Sequence, residues 1–158
     1  MMKHTISVLV RNQFGVLSRI AGLFSGRGYN IDSLCVAETQ DPEYSQMTIV
    51  AVGDSQIIEQ ITKQLNKLID VVKVTKFSDG DCVNRELALL KVNAPTQTRA
   101  EVIQIAGIFK ANVVDISQKT VTLEVTGSAD KINAIVDMLK PFGIKETART
   151  GRAALSRK

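Results

Sequence analysis

A single histidine, two cysteines and no tryptophan leave this chain of 158 residues poor in the groups that carry out chemistry. His4 has no second histidine or cysteine cluster to work with, so zinc sites and histidine-based nucleophiles lack material. Neither GxxxxGK[ST] nor GxGxxG occurs, which removes the common glycine-rich phosphate cradles. Cys35 and Cys82 form no CxxC and no disulfide framework, as expected of a reduced, cytoplasmic setting. No apolar run approaches the roughly 20 residues that span a bilayer. Met1-Met2-Lys3-His4-Thr5 leads directly into a strand pattern, without the apolar stretch of a signal peptide. Aromatics are scarce too: five Phe and two Tyr. The chain reads as a non-catalytic protein.

What is present is unevenly charged. Residues 1–80 hold eight Lys/Arg and eight Asp/Glu, whereas residues 81–158 hold twelve against eight, which accounts for the whole net charge of +4. The excess gathers between Lys145 and Lys158, including Arg149, Arg152 and Arg157. A solvated or partner-docking basic tail is expected there in preference to a polyanion site.

One pattern of elements occurs twice. Thr5 to Val10 predicts a buried strand, and a helix follows from about Gly15 to Arg27. Strands are expected at Asn30–Thr39 and Met47–Val52, separated by the turn Gln40-Asp41-Pro42-Glu43. Gly53-Asp54-Ser55 opens a helix whose apolar face is Ile57, Ile58, Ile61, Leu65, Leu68 and Ile69. A fourth strand, Val71–Phe77, alternates Val72 and Val74 with Lys73 and Thr75. Ser78-Asp79-Gly80-Asp81 breaks the chain, and the order begins again. Glu86–Asn93 is a strand, Thr96 or Thr98 can cap a helix bearing Val102, Ile105, Ala106 and Phe109, and strands follow at Asn112–Ser117 and Thr120–Thr126. A helix at Asp130–Phe142 and a strand at Ile144–Ala148 complete the repeat. The expected architecture is α+β, two tandem ferredoxin-like βαββαβ sandwiches, with domains at 1–78 and 84–158 and a linker at 79–83. Each unit has only about 75 residues, a size at which one core is marginal, and open sheet edges invite pairing. A homo-oligomer is therefore expected.

The most informative stretch runs from Asn12 to Ile31. Apolar residues at Val16, Leu17, Ile20, Ala21, Leu23 and Phe24 follow a 3.6-residue period, and Gly26 and Gly28 stop the helix. Its start has no obvious Ser, Thr or Asp cap, so backbone N–H groups and the helix dipole are left for an anion such as a carboxylate. Gly15 lets a ligand approach the backbone, and Asn12 adds amide donors and an acceptor. Two roles fit Asn12 at this stage, an ordinary helix cap or a ligand contact. RNA binding is disfavoured, because Thr5–Val10, Met47–Val52, Leu87–Val92 and Thr120–Thr126 hold no aromatic residue on which a base could stack.

Ser7-Val8-Leu9-Val10 leading into Asn12-x-x-Gly15-Val16-Leu17-Ser18-Arg19 resembles an ACT domain, an amino-acid-sensing module. Gly28-Tyr29-Asn30-Ile31-Asp32-Ser33-Leu34, Met47-Thr48-Ile49-Val50 and Arg85-Glu86-Leu87-Ala88-Leu89-Leu90-Lys91-Val92 resemble the small regulatory subunits of acetohydroxyacid (acetolactate) synthase. Ala148-Arg149-Thr150-Gly151 with Ala154-Leu155-Ser156-Arg157 matches their closing motif. Gln46 departs from the basic residue common in the family, and Lys158 from its final glycine. The resemblance implies an ACT domain at 1–78, a homodimer through it, and no catalysis by this chain itself. The implied partner is a catalytic large subunit that carries thiamine diphosphate, Mg²⁺ and FAD. It also implies feedback inhibition by a branched-chain amino acid, most often valine. The implied ligand residues are Asn12, Gly15, Val16 and Leu17 of one chain with Asn30 and Ile31 of the other. An ACT sensor serving another enzyme is the alternative.

Overall fold

The computed structural model describes residues 2–78 and 80–158. Two compact units emerge: Met1–Asn84 together with Arg152–Lys158, and Arg85–Gly151. The expected linker at 79–83 takes another form; Asp79 lies outside the described residues, and a strand already begins at Cys82. The last seven residues also depart from the expected 84–158 domain, since they pack with the first unit.

In unit 1 the order is β1 (Lys3–Arg11), α1 (Val16–Gly26), β2 (Asn30–Glu38), β3 (Tyr44–Val52), α2 (Ser55–Asn66) and β4 (Val71–Phe77). The antiparallel sheet runs β2-β3-β1-β4. Ile6, Val8 and Val10 of β1 and Met47, Ile49 and Ala51 of β3 point to the helices. There they meet Val16, Ile20 and Phe24 of α1 and Ile58, Ile61 and Leu65 of α2. These are the period-2 and period-3.6 stripes of the sequence, brought face to face. Asp54 caps α2 by accepting from Ile57 N at 3.0 Å.

Unit 2 repeats the plan: β5 (Cys82–Asn93), α3 (Arg99–Ile108), β6 (Asn112–Ile116), β7 (Thr120–Gly127), α4 (Ala129–Leu139), a 3-10 turn (Lys140–Phe142) and β8 (Ile144–Arg149), in a sheet ordered β6-β7-β5-β8. Its core is Ala88, Leu90 and Val92 with Val121, Leu123 and Val125 under Val102, Ala106, Ile132, Ile135 and Leu139. Glu86, almost wholly buried, is held by Arg149, whose Nη2 donates to both carboxylate oxygens at 3.1 Å while Nη1 donates to Asn133 at 2.9 Å. The repeat extends to its irregularities. Each sheet has one register shift on its second strand, at Asp32 and Val114, and one on its last, at Val72 and Lys145.

Those bulges explain two departures from simple alternation. Val72 is the extra residue between the pairs Leu9↔Lys73 and Val10↔Val71, so it turns outward (52 % exposed) and Val71 and Val74 face the core instead. On β2 the extra residue is Asp32, which places Ile31 and Leu34 on one face. α2 ends at Asn66, earlier than its apolar pattern suggests; Leu68 still packs on the core, whereas Ile69 is 89 % exposed. Thr98 sits at the N-cap of α3 without making a side-chain cap bond.

A ninth strand, β9 (Ala153–Ser156), has no counterpart in the sequence reading; within the first unit it touches β1 and β3. It covers the helix-free face of the first sheet. Ala154 N donates to Thr48 Oγ1 at 3.2 Å, Arg152 Nη1 donates to Thr5 Oγ1 at 2.8 Å, and Thr5, Ser7, Thr48 and Val50 are buried beneath. The basic tail is thus docked on the chain's own sheet.

Candidate ligand site at the start of the first helix

Gly15 occupies the N-cap of α1 with φ 84° and ψ −6°, and no side chain caps the helix. This left-handed conformation suits glycine, because an L side chain there is strained. The positively polarised helix start lacks a side-chain cap, as the sequence suggested, while Val16 N donates to Gln13 O at 3.3 Å. Asn12 does not cap it. Its Nδ2 donates to Pro42 O at 3.0 Å and to Glu38 Oε2 at 3.3 Å, tying the loop to the far end of β2.

The remaining candidates divide by orientation. Val16 points inward and is buried in the core, so only its backbone faces the loop. Leu17 is exposed, as is Phe14 beside it at 103 %. Asn30 is exposed and Ile31 half-buried at the opposite end of the sheet. Tyr29 places that strand start: its ring meets Phe24 edge-on with centroids 6.0 Å apart, and Tyr29 N donates to Phe24 O at 3.0 Å.

Register fixes how far apart the two groups lie. Arg11 pairs with Tyr44, whereas Asn30 pairs with Val52, which also faces Lys3. Eight strand steps separate those ends, roughly 27 Å. Asn12 and Gly15 therefore do not meet Asn30 and Ile31 within one chain.

Three neighbours of the loop carry no motif signal in the sequence. Arg19, one turn into α1, lies over Gly15: a Cβ placed there would be 3.2 Å from Arg19 Nη1. Asp70, between α2 and β4, holds that guanidinium through Nε at 3.0 Å and through Nη2, and its carbonyl accepts from Arg11 N at 2.9 Å. Glu38 positions Asn12. Helical spacing puts Arg19 one turn from Gly15, but only the fold brings Asp70 and Glu38 to it. An open polar groove of about 430 Å³ adjoins the loop, lined by Arg11, Asn12, Gln13, Glu43 and Tyr44. Gln46 donates its amide to Ser7 Oγ, so the uncharged residue at this position is bonded into the sheet.

Among the described residues no group of three or more His, Cys, Asp or Glu is arranged to hold a metal ion. No helix among them is long and apolar enough to cross a membrane.

A family model described as the small subunit of acetolactate synthase matches residues 85–158, and one described as an AHAS small subunit-like ACT domain matches residues 6–73. The acetolactate synthase small subunit of Aquifex aeolicus is 54 % identical over 98 % of this chain and 81 % of its own length. A probable acetolactate synthase small subunit of Archaeoglobus fulgidus is 49 % identical over 99 % of this chain and 98 % of its own. The crystal structure of the acetolactate synthase small subunit from Thermotoga maritima superposes with a TM-score of 0.93 at 38 % identity, covering 100 % of this chain and 99 % of that one.

Proposed function

This chain belongs to the acetolactate synthase small-subunit family, and on that premise we propose that it is a dimeric amino-acid sensor that activates a catalytic large subunit and makes it sensitive to valine. The ACT unit and the family together support the regulatory role. Thiamine diphosphate, Mg²⁺ and FAD belong, on this reading, to the large subunit.

The observation that carries the proposal is the separation of the two candidate groups in one chain together with the position of β2. β2 is an edge strand, and an edge strand can be extended by a second copy. Pairing two β2 strands antiparallel about their midpoint, Leu34, sets Asn30 opposite Glu38 of the second copy. Glu38 is the residue that Asn12 contacts. One two-fold axis thus unites the helix start of one chain with Asn30 and Ile31 of the other, and does so twice. The open N–H groups and Arg19 suit the effector's carboxylate, the amide oxygens its ammonium, and Leu17 and Ile31 its branched side chain.

Calorimetric titration of valine into the full chain tests this. Binding between about −4 and −8 kcal/mol, millimolar to micromolar, is expected of a feedback ligand. Restoration of valine inhibition when this chain is added to its large subunit is the matching activity readout. Absence of both heat and inhibition at several millimolar valine would refute the valine site. Sensitivity to another amino acid, or to valine with another enzyme, would favour the alternative of an ACT sensor serving a different pathway.

A further inference from the structure

We propose that the first unit carries a basic cleft that binds a small dianionic oxoanion, inorganic phosphate or the phosphate of a monoester. The cleft lies on the β4 side of the sheet, at the beginning of β1. Asn30 and Ile31 stand on the opposite edge strand, β2, and Gly15 lies beyond the other end of β1. The proposal is independent of the valine reading.

The cleft has a volume of about 250 Å³, and Lys3, His4, Lys76 and Arg152 line it together with Thr5 and Ser78. Among the described residues no carboxylate lines it. Register explains the gathering. β1 begins where β4 ends, with Thr5 opposite Phe77 and Ile6 opposite Lys76. The returning tail reaches the same place, where Arg152 Nη1 donates to Thr5 Oγ1 at 2.8 Å. Arg157 fastens another wall, its Nε donating to Gly80 O at 2.8 Å.

The four basic groups are not equally committed. Lys3 is paired with Asp32 at 3.1 Å, and His4 Nε2 lies 3.1 Å from Gly53 O. Lys76 has no hydrogen-bond or ion-pair partner among the described residues. The half-buried Arg152 spends only Nη1, so its Nε–Nη2 edge is without a partner among them. That edge presents two parallel donors, the geometry that takes two oxygens of one anion, and the lysine ammonium adds a point charge. Two uncompensated cations in one concave surface also focus the positive potential. An amino acid suits the cleft poorly, because its ammonium would meet cations and no carboxylate. A monocarboxylate would satisfy the guanidinium edge and leave the lysine unbalanced, whereas a dianion balances both. Bound there, it would join Arg152 of the tail to Lys76 of β4, so occupancy favours the docked tail.

The test follows phosphorus NMR and thermal unfolding of the full chain as inorganic phosphate replaces chloride at constant ionic strength. Saturable binding of about millimolar strength is expected, with a Tm that rises with occupancy. Lys76→Gln changes an exposed side chain that has no partner, so the fold is retained, and it is expected to weaken phosphate binding at least about tenfold. Arg152→Lys, which keeps the charge and loses the fork, is expected to weaken it as well. Lys63→Gln on α2 deletes one charge elsewhere and should leave binding unchanged. Absence of saturable binding would overturn the proposal, and so would undiminished binding by the Lys76→Gln chain. Equal losses in Lys76→Gln and Lys63→Gln would reduce the effect to net charge and overturn it too. Acetate that stabilises the chain as well as phosphate does would refute the dianion class. Glycerol phosphate identifies the occupant: tighter binding than inorganic phosphate supports a monoester, and weaker binding supports the free ion.

Discussion

Asn12, just past the end of β1, and Asn30, at the start of β2, stand at opposite ends of one sheet, separated by the full length of β1 and β3. If both contact the effector, each does so in a different protomer's site. Asn30→Ala is expected to weaken valine binding by about 1–3 kcal/mol by leaving a ligand group unpaired, and Asn12→Ala to do the same. A mixture of the two variants should recover one intact site per heterodimer. Sedimentation to confirm heterodimers, followed by valine titration, measures this. No recovery in proven heterodimers would place the site within a single chain.

Gly15 supports a prediction with an internal control. Its φ of 84° strains any L residue, at roughly 1–2 kcal/mol. Gly15→Ala isolates that strain. Gly15→Asp adds a carboxylate borne on a Cβ that would stand 3.2 Å from Arg19 Nη1, where the effector's carboxylate is expected. Gly15→Asp is expected to abolish valine inhibition while activation of the large subunit persists, and Gly15→Ala to keep part of it. Equal loss in both variants would assign the effect to backbone geometry alone.

The docked tail predicts a stability effect in the first unit. Ala154 is 4 % exposed against the sheet. Ala154→Glu would bury an unpaired carboxylate and is expected to cost at least about 2 kcal/mol. Arg152→Ala removes a half-exposed bond to Thr5 and should cost less, about 0.5–1.5 kcal/mol. Urea unfolding of the full chain reads both. Unchanged midpoints would mean that the strap is detached in solution.

Lys91 and Glu146 pair across β5 and β8. Their mutual hydrogen bond, with the attraction of the opposite charge, raises the Lys91 pKa above its ordinary 10.5 and lowers that of Glu146 below its ordinary 4.5. The glutamate's contribution to stability is present above its ordinary value and fades as pH falls through the lowered one. The lysine's is present below 10.5 and fades as pH rises through the raised one. Glu146→Gln should return Lys91 toward 10.5 in a side-chain NMR titration. A Lys91 curve that does not move would show that the pair is absent in solution.

Most elements were legible because their apolar spacing is regular. Ile58, Ile61 and Leu65, or Leu90 and Val92, announce helix and strand without tertiary information. Legibility failed where geometry departs from the period. Val72 looked inward because nothing local marks a bulge, and Ile69 extended the apolar stripe of α2 beyond its last turn. β9 was hidden for a different reason: Ala153-Ala154-Leu155-Ser156 is too short to show alternation, and its burial depends on Thr5 and Thr48, more than a hundred residues away. Gly15 was readable through its missing cap. Arg19 could have been found from its one-turn spacing, whereas Asp70 and Glu38 depend on sheet pairing that no local pattern encodes.

The return of Arg152–Lys158 to the first unit also sets an order of events during synthesis. Residues 1–84 are translated before unit 2, yet the cover for their sheet is translated after it. The first unit must therefore wait, with Val50 and its neighbours uncovered, until the second has been threaded out. A message broken between codons 151 and 158 would yield a chain whose second unit is complete and whose first unit is unsheathed, so quality control that recognises exposed sheet would discriminate finished from unfinished regulators.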